Sequence, residues 1–181
     1  MSSRVEVLQQ GPERVLSPDP GKHDRKFWIL TWVPAAIAIA IIATESTSMM
    51  GADHTSVWLR PIWTRLFGAL PDDAWYTLHW KIRKCGHILG YGGVSVAFFY
   101  SWYRSLRATI SSTRKGFFQR ASALAMVSTV LVASADEFHQ LFLPNRGGSV
   151  HDVALDTIGA TLAQLSLAAI YFLFWRQRSS I

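Results

Sequence analysis

Read from the N-terminus, the chain alternates between long uncharged stretches and short segments crowded with charge. Residues 1–26 are polar and interrupted by Gly11, Pro12, Pro18, Pro20 and Gly21, which predicts a mobile tail rather than a regular element. Residues 27–44 carry no charge. At roughly 1.5 Å per residue such a run crosses a hydrocarbon core, with Pro34 as a candidate kink. Residues 57–70 differ, because Leu59, Ile62, Leu66, Phe67 and Leu70 recur at helical spacing opposite Arg60, Thr64 and Arg65. With Trp58 and Trp63 alongside, this is the pattern of a helix lying in the membrane interface and not of a crossing. Pro71-Asp72-Asp73 then offers a stop and a fresh helix N-cap. Three more apolar blocks follow, at 85–103, 119–135 and 153–175, the last two separated by the turn sequence Pro144-Asn145-Arg146-Gly147-Gly148. Gly86, Gly90, Gly92 and Gly93 make the first of these three a surface for close helix approach in lipid.

The pattern predicts an all-α integral membrane bundle of four transmembrane helices plus a short interfacial helix between the first two. The membrane domain spans 27–176, between a polar tail at 1–26 and a short end at 177–181.

Composition becomes informative only with position. Half the residues are hydrophobic, which a soluble core also tolerates, so the blocks and not the total decide the class. A net charge of +6 in a soluble protein would suggest nucleic acid. Here the cations flank apolar blocks, where they set orientation and meet anionic lipid, so no nucleic-acid partner is expected. If the N-terminus lies inside, 12 of the 18 Lys and Arg fall on that face, leaving Arg60, Arg65, Lys81, Arg83, Lys84 and Arg146 outside. The positive-inside rule therefore predicts a multi-pass protein of the cell membrane with both termini cytoplasmic. The single Cys85 excludes an intramolecular disulfide and a cysteine metal cage. Trp28, Trp75, Trp80, Trp102 and Trp175 fit interfacial belts. His23, Asp24 and His54 read as solvated.

Under this topology the unusual polar residues converge at one level, the outer membrane boundary. Lys84 and His87 open the second span, and Asp136, Glu137, His139 and Gln140 close the third. Arg146 lies in the turn, while His151, Asp152 and Asp156 begin the fourth span. Lys84, His87 and Tyr91 share one helical face, and Asp152 and Asp156 share another that continues into Gly159, Ala160 and Ala163. A charge at mid-membrane costs about 2.5–3.5 kcal/mol on insertion scales, so these groups should face the bundle interior.

Glu137 and His87 form a candidate catalytic acid–base pair; the competing reading has Glu137 merely paired with Lys84 or Arg146. Lys84, Tyr91, Gln140, Arg146, Asp152 and Asp156 are candidate ligand-binding residues, with Arg146 suited to a bidentate grip on phosphate or carboxylate. Glu45, at the end of the first span, is a candidate further acid. His87, His139, Glu137 and Asp152 would be the natural metal ligands, but no compact motif such as H-E-x-x-H occurs, and no metal or cofactor is expected.

The segment Lys84-Cys85-Gly86-His87 with Tyr91, then Asp136-Glu137-Phe138-His139-Gln140 with Pro144 and Arg146, then Asp152, Asp156 and Gly159, resembles the VanZ-like membrane protein family. The similarity covers roughly residues 30–175. Asp156 is a departure, standing where that family usually has Asn. The resemblance implies a cell-envelope protein associated with low-level resistance to glycopeptides of the teicoplanin type, and Lys84, His87, Tyr91, Glu137, Gln140, Arg146 and Asp152 as its shared site. Two functional classes follow. One is an outward-facing polar cleft, enzymatic or not, for an anionic headgroup, a lipid-linked envelope precursor or a peptide carboxylate. The other is a structural partner of envelope machinery whose charges only hold the bundle together. Transport fits less well, because 94–99 and 163–173 are nearly all apolar.

Overall fold

The computed structural model describes residues 15–18, 23–144 and 146–178, with side chains as far as Leu173. Most of the polar tail, Asn145 of the turn, residues 179–181 and the side chains of Trp175, Arg176 and Arg178 therefore lie outside the described residues.

Helix α1 runs Arg25–Glu45, close to the span expected from its lack of charge. Asp24 begins it: the carboxylate, though exposed, accepts from the Phe27 backbone N–H at 2.9 Å and so caps the helix. Pro34 lies inside the helix. A single 3₁₀ turn at Ser48–Met50 leads to α2, Ala52–Phe67, which ends where Gly68 adopts φ 93°. The amphipathic helix thus starts five residues before the expected 57 and stops three before 70. Its start was hidden because Gly51, the N-cap, offers no side-chain signal.

Helix α3 spans Asp72–Thr109, 38 residues, with Pro71 at the N-cap and both Asp72 and Asp73 in the first turn, where carboxylates favour the helix dipole. The apolar block at 85–103 is only its middle. At roughly 1.5 Å per residue α3 is about 57 Å long, well over the roughly 30 Å thickness of a hydrocarbon core. Helix α4 is Arg114–Gln140, capped by the Thr113 hydroxyl accepting from Gly116 N at 3.0 Å, and α5 is Val150–Arg178.

The tail is not wholly free. Strand β1, Val15–Leu16, pairs antiparallel with β2, Ser112–Thr113, in the α3–α4 connection, and Arg107 donates to the Ser17 carbonyl at 3.5 Å. Residues 15–17 of the expected mobile tail are thus held, because the loop offers unpaired backbone groups that the passing chain satisfies.

Among the described residues three helices are long and apolar enough to cross a membrane: α1, α4 and the Val150–Leu173 part of α5. This is an all-α, multi-pass membrane architecture. Helix α3 does not join that set, because glycines, serines, His87 and Tyr91 dilute its apolar middle. It is nevertheless the hub, packing along α1, α4 and α5. Tyr91, Val94 and Phe98 from α3 meet Ala35 and Ile42 from α1 and Ala125 and Ala133 from α4 in one buried cluster. Outward, α1 exposes Ile29, Leu30, Ile37 and Ile41, and α5 exposes Ile158, Leu162 and Leu165. A helix that is apolar on the face away from its neighbours is suited to lipid.

Two of the supposed belt tryptophans are pins between helices. Trp75 is 1% exposed, donates to Ser56 Oγ of α2 at 2.7 Å and stacks on His79. Trp102 donates to Ser128 Oγ of α4 at 3.1 Å and meets Trp32 of α1 edge-on. The glycine stripe is also narrower than expected. Gly86 and Gly93 face open space, whereas Gly92 abuts Gly159 of α5, and a Cβ on Gly159 would run into the backbone of Ile88. The α3–α5 crossing is therefore set at the Gly92–Gly159 contact, with Ala160 and Ala163 continuing the close stripe.

Candidate functional site

The ends of α1, α3, α4 and α5 that lie beneath α2 gather the ionisable residues. From α3, Lys84 forms an ion pair with Asp152 in the first turn of α5, side chains 25% and 22% exposed, and lies 5.8 Å from the Trp80 ring centre. One turn further in, His87 Nδ1 is 3.1 Å from Asp156 Oδ1, and Asp156 is wholly buried. A further turn on, Tyr91 donates to Asp136 Oδ2 of α4 at 2.9 Å, an oxygen that also accepts from Gln140 at 3.1 Å. The shared face of Lys84, His87 and Tyr91 thus meets two different helices. It turns from α5 to α4 as it descends, because i, i+3 and i+7 positions drift around the helix.

Glu137 lies near His87, with a ligand atom of each within 4.8 Å, and does not pair with Lys84 or Arg146. It is 4% exposed, and its Oε2 accepts from the Ser149 backbone N–H at 2.8 Å, not from Lys84 or Arg146. Ser149 also starts α5, its hydroxyl accepting from His151 N at 3.2 Å. Gly148 makes this possible: a Cβ there would collide with the Glu137 carbonyl, so only glycine lets the turn press against the end of α4. Glu137 Oε1 and Asp156 Oδ2 are buried with no hydrogen-bond partner among the described residues.

The ligand set His87, His139, Glu137 and Asp152 is not assembled. His139 is exposed and its Nδ1 lies 3.1 Å from Ser46 Oγ, while Asp152 is taken by Lys84. Instead one ligand atom from each of His87, Glu137 and Asp156 lies within 4.8 Å of the others. Below this level Gln164 of α5 donates to Ser95 Oγ of α3 at 2.8 Å, a bond that ties two helices together within the supposedly apolar stretch.

Beside the cluster is a cavity of about 260 Å³ between α1, α2, α3 and α4. His87, Tyr91, Asp136, Gln140 and Arg146 line it, and so does Arg83, which sequence reasoning had left among the outer cations. Arg83 donates to the Met50 carbonyl at 2.9 Å, and burial first, then the nearby Arg146 charge, lowers its pKa. Arg146 donates to the Glu45 carbonyl at the end of α1, leaving its Nε buried without a partner. Glu45 reaches the cavity wall while remaining exposed. Nothing in spacing marked Arg83, since Lys81, Arg83 and Lys84 read alike; the rotation of α3 under α2 selects it.

The roof is fastened by polar contacts. Thr55 Oγ1 donates to the Gly51 carbonyl at 3.0 Å and meets His79 Nε2 at 3.1 Å, which makes the imidazole Nε2–H the donor. Burial, then the Arg83 charge, lowers the His79 pKa and keeps that neutral tautomer.

The family model for VanZ/LLP1 matches residues 20–175. The chain belongs to the VanZ/LLP1 family. The residues of the candidate site in this VanZ/LLP1 protein, from Glu45 to Asp156, fall within that match. No curated protein and no solved structure matches the chain.

Proposed function

We propose that this VanZ/LLP1 protein is a cell-envelope protein that crosses the membrane four times, α3 being the second crossing, with both termini cytoplasmic. The pairing of β1 with the α3–α4 connection supports that topology, since it puts the N-terminal segment on the same face as the cation-rich loop. The cavity beneath α2 then opens at the outer boundary and binds an anionic group: a lipid headgroup, a lipid-linked envelope precursor or a peptide carboxylate.

The observation that carries this reading is the convergence of two guanidinium side chains, Arg83 and Arg146, on one small cavity. Like charges brought together and partly dehydrated oppose each other, and an anion removes that opposition. Tyr91 and Gln140 in the same wall add neutral hydrogen-bonding groups, with His87 beside them. The volume lies below the roughly 300–1,000 Å³ usual for drug-sized ligands, so it suits a headgroup and not an intact glycopeptide. Any protection against teicoplanin-type antibiotics would then act through the envelope precursor and not by holding the drug. In an enzymatic version His87, which borders the cavity, transfers the proton, and Glu137 acts through the neighbouring cluster.

The alternative is a structural role, favoured by one feature: Lys84–Asp152, His87–Asp156 and Tyr91–Asp136 each join two helices. Teicoplanin susceptibility of a sensitive host separates the two. Wild type, Glu137→Gln and Arg146→Ala are compared at matched membrane levels. The binding reading expects protection from wild type alone; equal protection from all three would favour the structural partner, and none even from wild type would detach this protein from resistance.

A further inference from the structure

We propose that His87, Glu137 and Asp156 form a binding site for one divalent transition-metal ion, with zinc as the best match to the donors. Two carboxylates and an imidazole from three different helices bring one ligand atom each to within 4.8 Å of one another. Around a tetrahedral zinc at about 2.0–2.2 Å, ligand atoms lie roughly 3.5 Å apart, so side-chain rotations of about 1 Å close the set.

The hydrogen bonds point the same way. Each carboxylate has one oxygen occupied, Glu137 Oε2 by Ser149 N and Asp156 Oδ1 by His87 Nδ1, and one oxygen buried with no donor, Oε1 and Oδ2. An unpartnered oxygen on a side chain 4% or 0% exposed costs free energy unless a cation faces it. Among the nearby cations Lys84 is paired with Asp152, while Arg83 and Arg146 donate to the Met50 and Glu45 carbonyls, and none of the three donates to Glu137 Oε1 or Asp156 Oδ2. Asp136 is likewise held, by Tyr91 and Gln140. A divalent ion balances the two negative charges of Glu137 and Asp156 where His87 alone could supply one.

The donor chemistry narrows the ion. Imidazole suits zinc, copper, iron and nickel, whereas a mainly carboxylate set suits magnesium or manganese; a mixed set of three protein donors with one position left is the pattern of zinc sites that do chemistry. Ser149 N–H holds Glu137 through its other oxygen, the orienting arrangement such sites use. Since His87 also borders the cavity, an anionic oxygen of a headgroup would fill the remaining position. That last contact alone rests on the binding role proposed above.

The test uses the full chain in detergent, tag removed, dialysed against chelator and titrated with zinc chloride in the absence of added lipid. Bound zinc per chain and the shift in thermal unfolding are both read. Wild type should take up about one zinc per chain and unfold at higher temperature with it, as binding to the folded state requires. Glu137→Gln and Asp156→Asn, which keep side-chain shape and remove the charge, should each weaken binding by at least about ten-fold. His139→Gln, remote from the cluster, should match wild type. A wild type without zinc, or equal uptake by wild type and both cluster variants, would overturn the proposal. If one variant does not fold, the wild-type titration and the other variant still decide. No step reads lipid or antibiotic, so the outcome is independent of the susceptibility assay.

Discussion

Lys84 and Asp152 illustrate how much a single position carries when the pair is half-hidden. Removing one partner strands the other charge at the membrane boundary, whereas removing both leaves two apolar side chains between α3 and α5. Lys84→Met is expected to cost about 1–3 kcal/mol, below the 3–5 kcal/mol of a fully buried pair because both side chains keep partial exposure. Lys84→Met with Asp152→Leu should recover most of that loss. Thermal unfolding of the four proteins of this cycle in detergent checks it; strict additivity would mean that the pair contributes nothing. At this scale the sequence was informative about membership and poor about pairing. Lys84, His87, Tyr91, Gln140 and Asp156 were legible because ionisable and amide groups beside apolar blocks must turn inward. That His87 meets Asp156 while Glu137 meets a backbone N–H depends on the rotation of three helices, which no spacing within one helix encodes. Arg83 was lost for the same reason.

At the scale of elements, the apolar runs located the middles of helices better than their ends. Residues 27–44 nearly define α1, since the uncharged run ends sharply there, with only Arg25, Lys26 and Glu45 added. Helix α3 was foreshortened because hydropathy stops at Lys84 while the backbone hydrogen bonds continue outward to Asp72. The glycines of α3 looked equivalent in sequence, and the fold makes them unequal. Gly159→Ala should force α3 and α5 apart, at a cost of about 1–3 kcal/mol as for other overpacked contacts. Gly93→Ala meets open space and should be neutral or raise stability by up to about 1 kcal/mol through helix propensity. Unfolding midpoints of the two variants side by side give the comparison; equal effects would contradict the close α3–α5 crossing.

For the whole molecule, the short β1–β2 ladder ties the proposed topology to accessible chemistry. In a Cys85→Ser background, Ser17→Cys and Ser111→Cys should react with a membrane-impermeant maleimide only after cells are opened, whereas Asp53→Cys, at the exposed start of α2, should react in intact cells. The reverse pattern would invert the molecule and turn the cavity to the cytoplasm. The proposed orientation rests on 12 of 18 cations falling on one side under that topology, whereas the cavity itself was not legible, since its roof comes from a helix that reads only as an interfacial segment.

Helix α1 has 21 residues and is therefore about 31 Å long, close to the roughly 30 Å of hydrocarbon, while α3 has residues to spare at its outer end. In a thicker bilayer α1 is the crossing that comes up short, and hydrophobic mismatch of this kind costs fractions of a kcal/mol per Å. The carbonyl at its outer end, on Glu45, is the one that Arg146 holds. Lipid chain length thus reaches a cavity arginine through α1, which makes the position of that guanidinium depend on the thickness of the membrane around it.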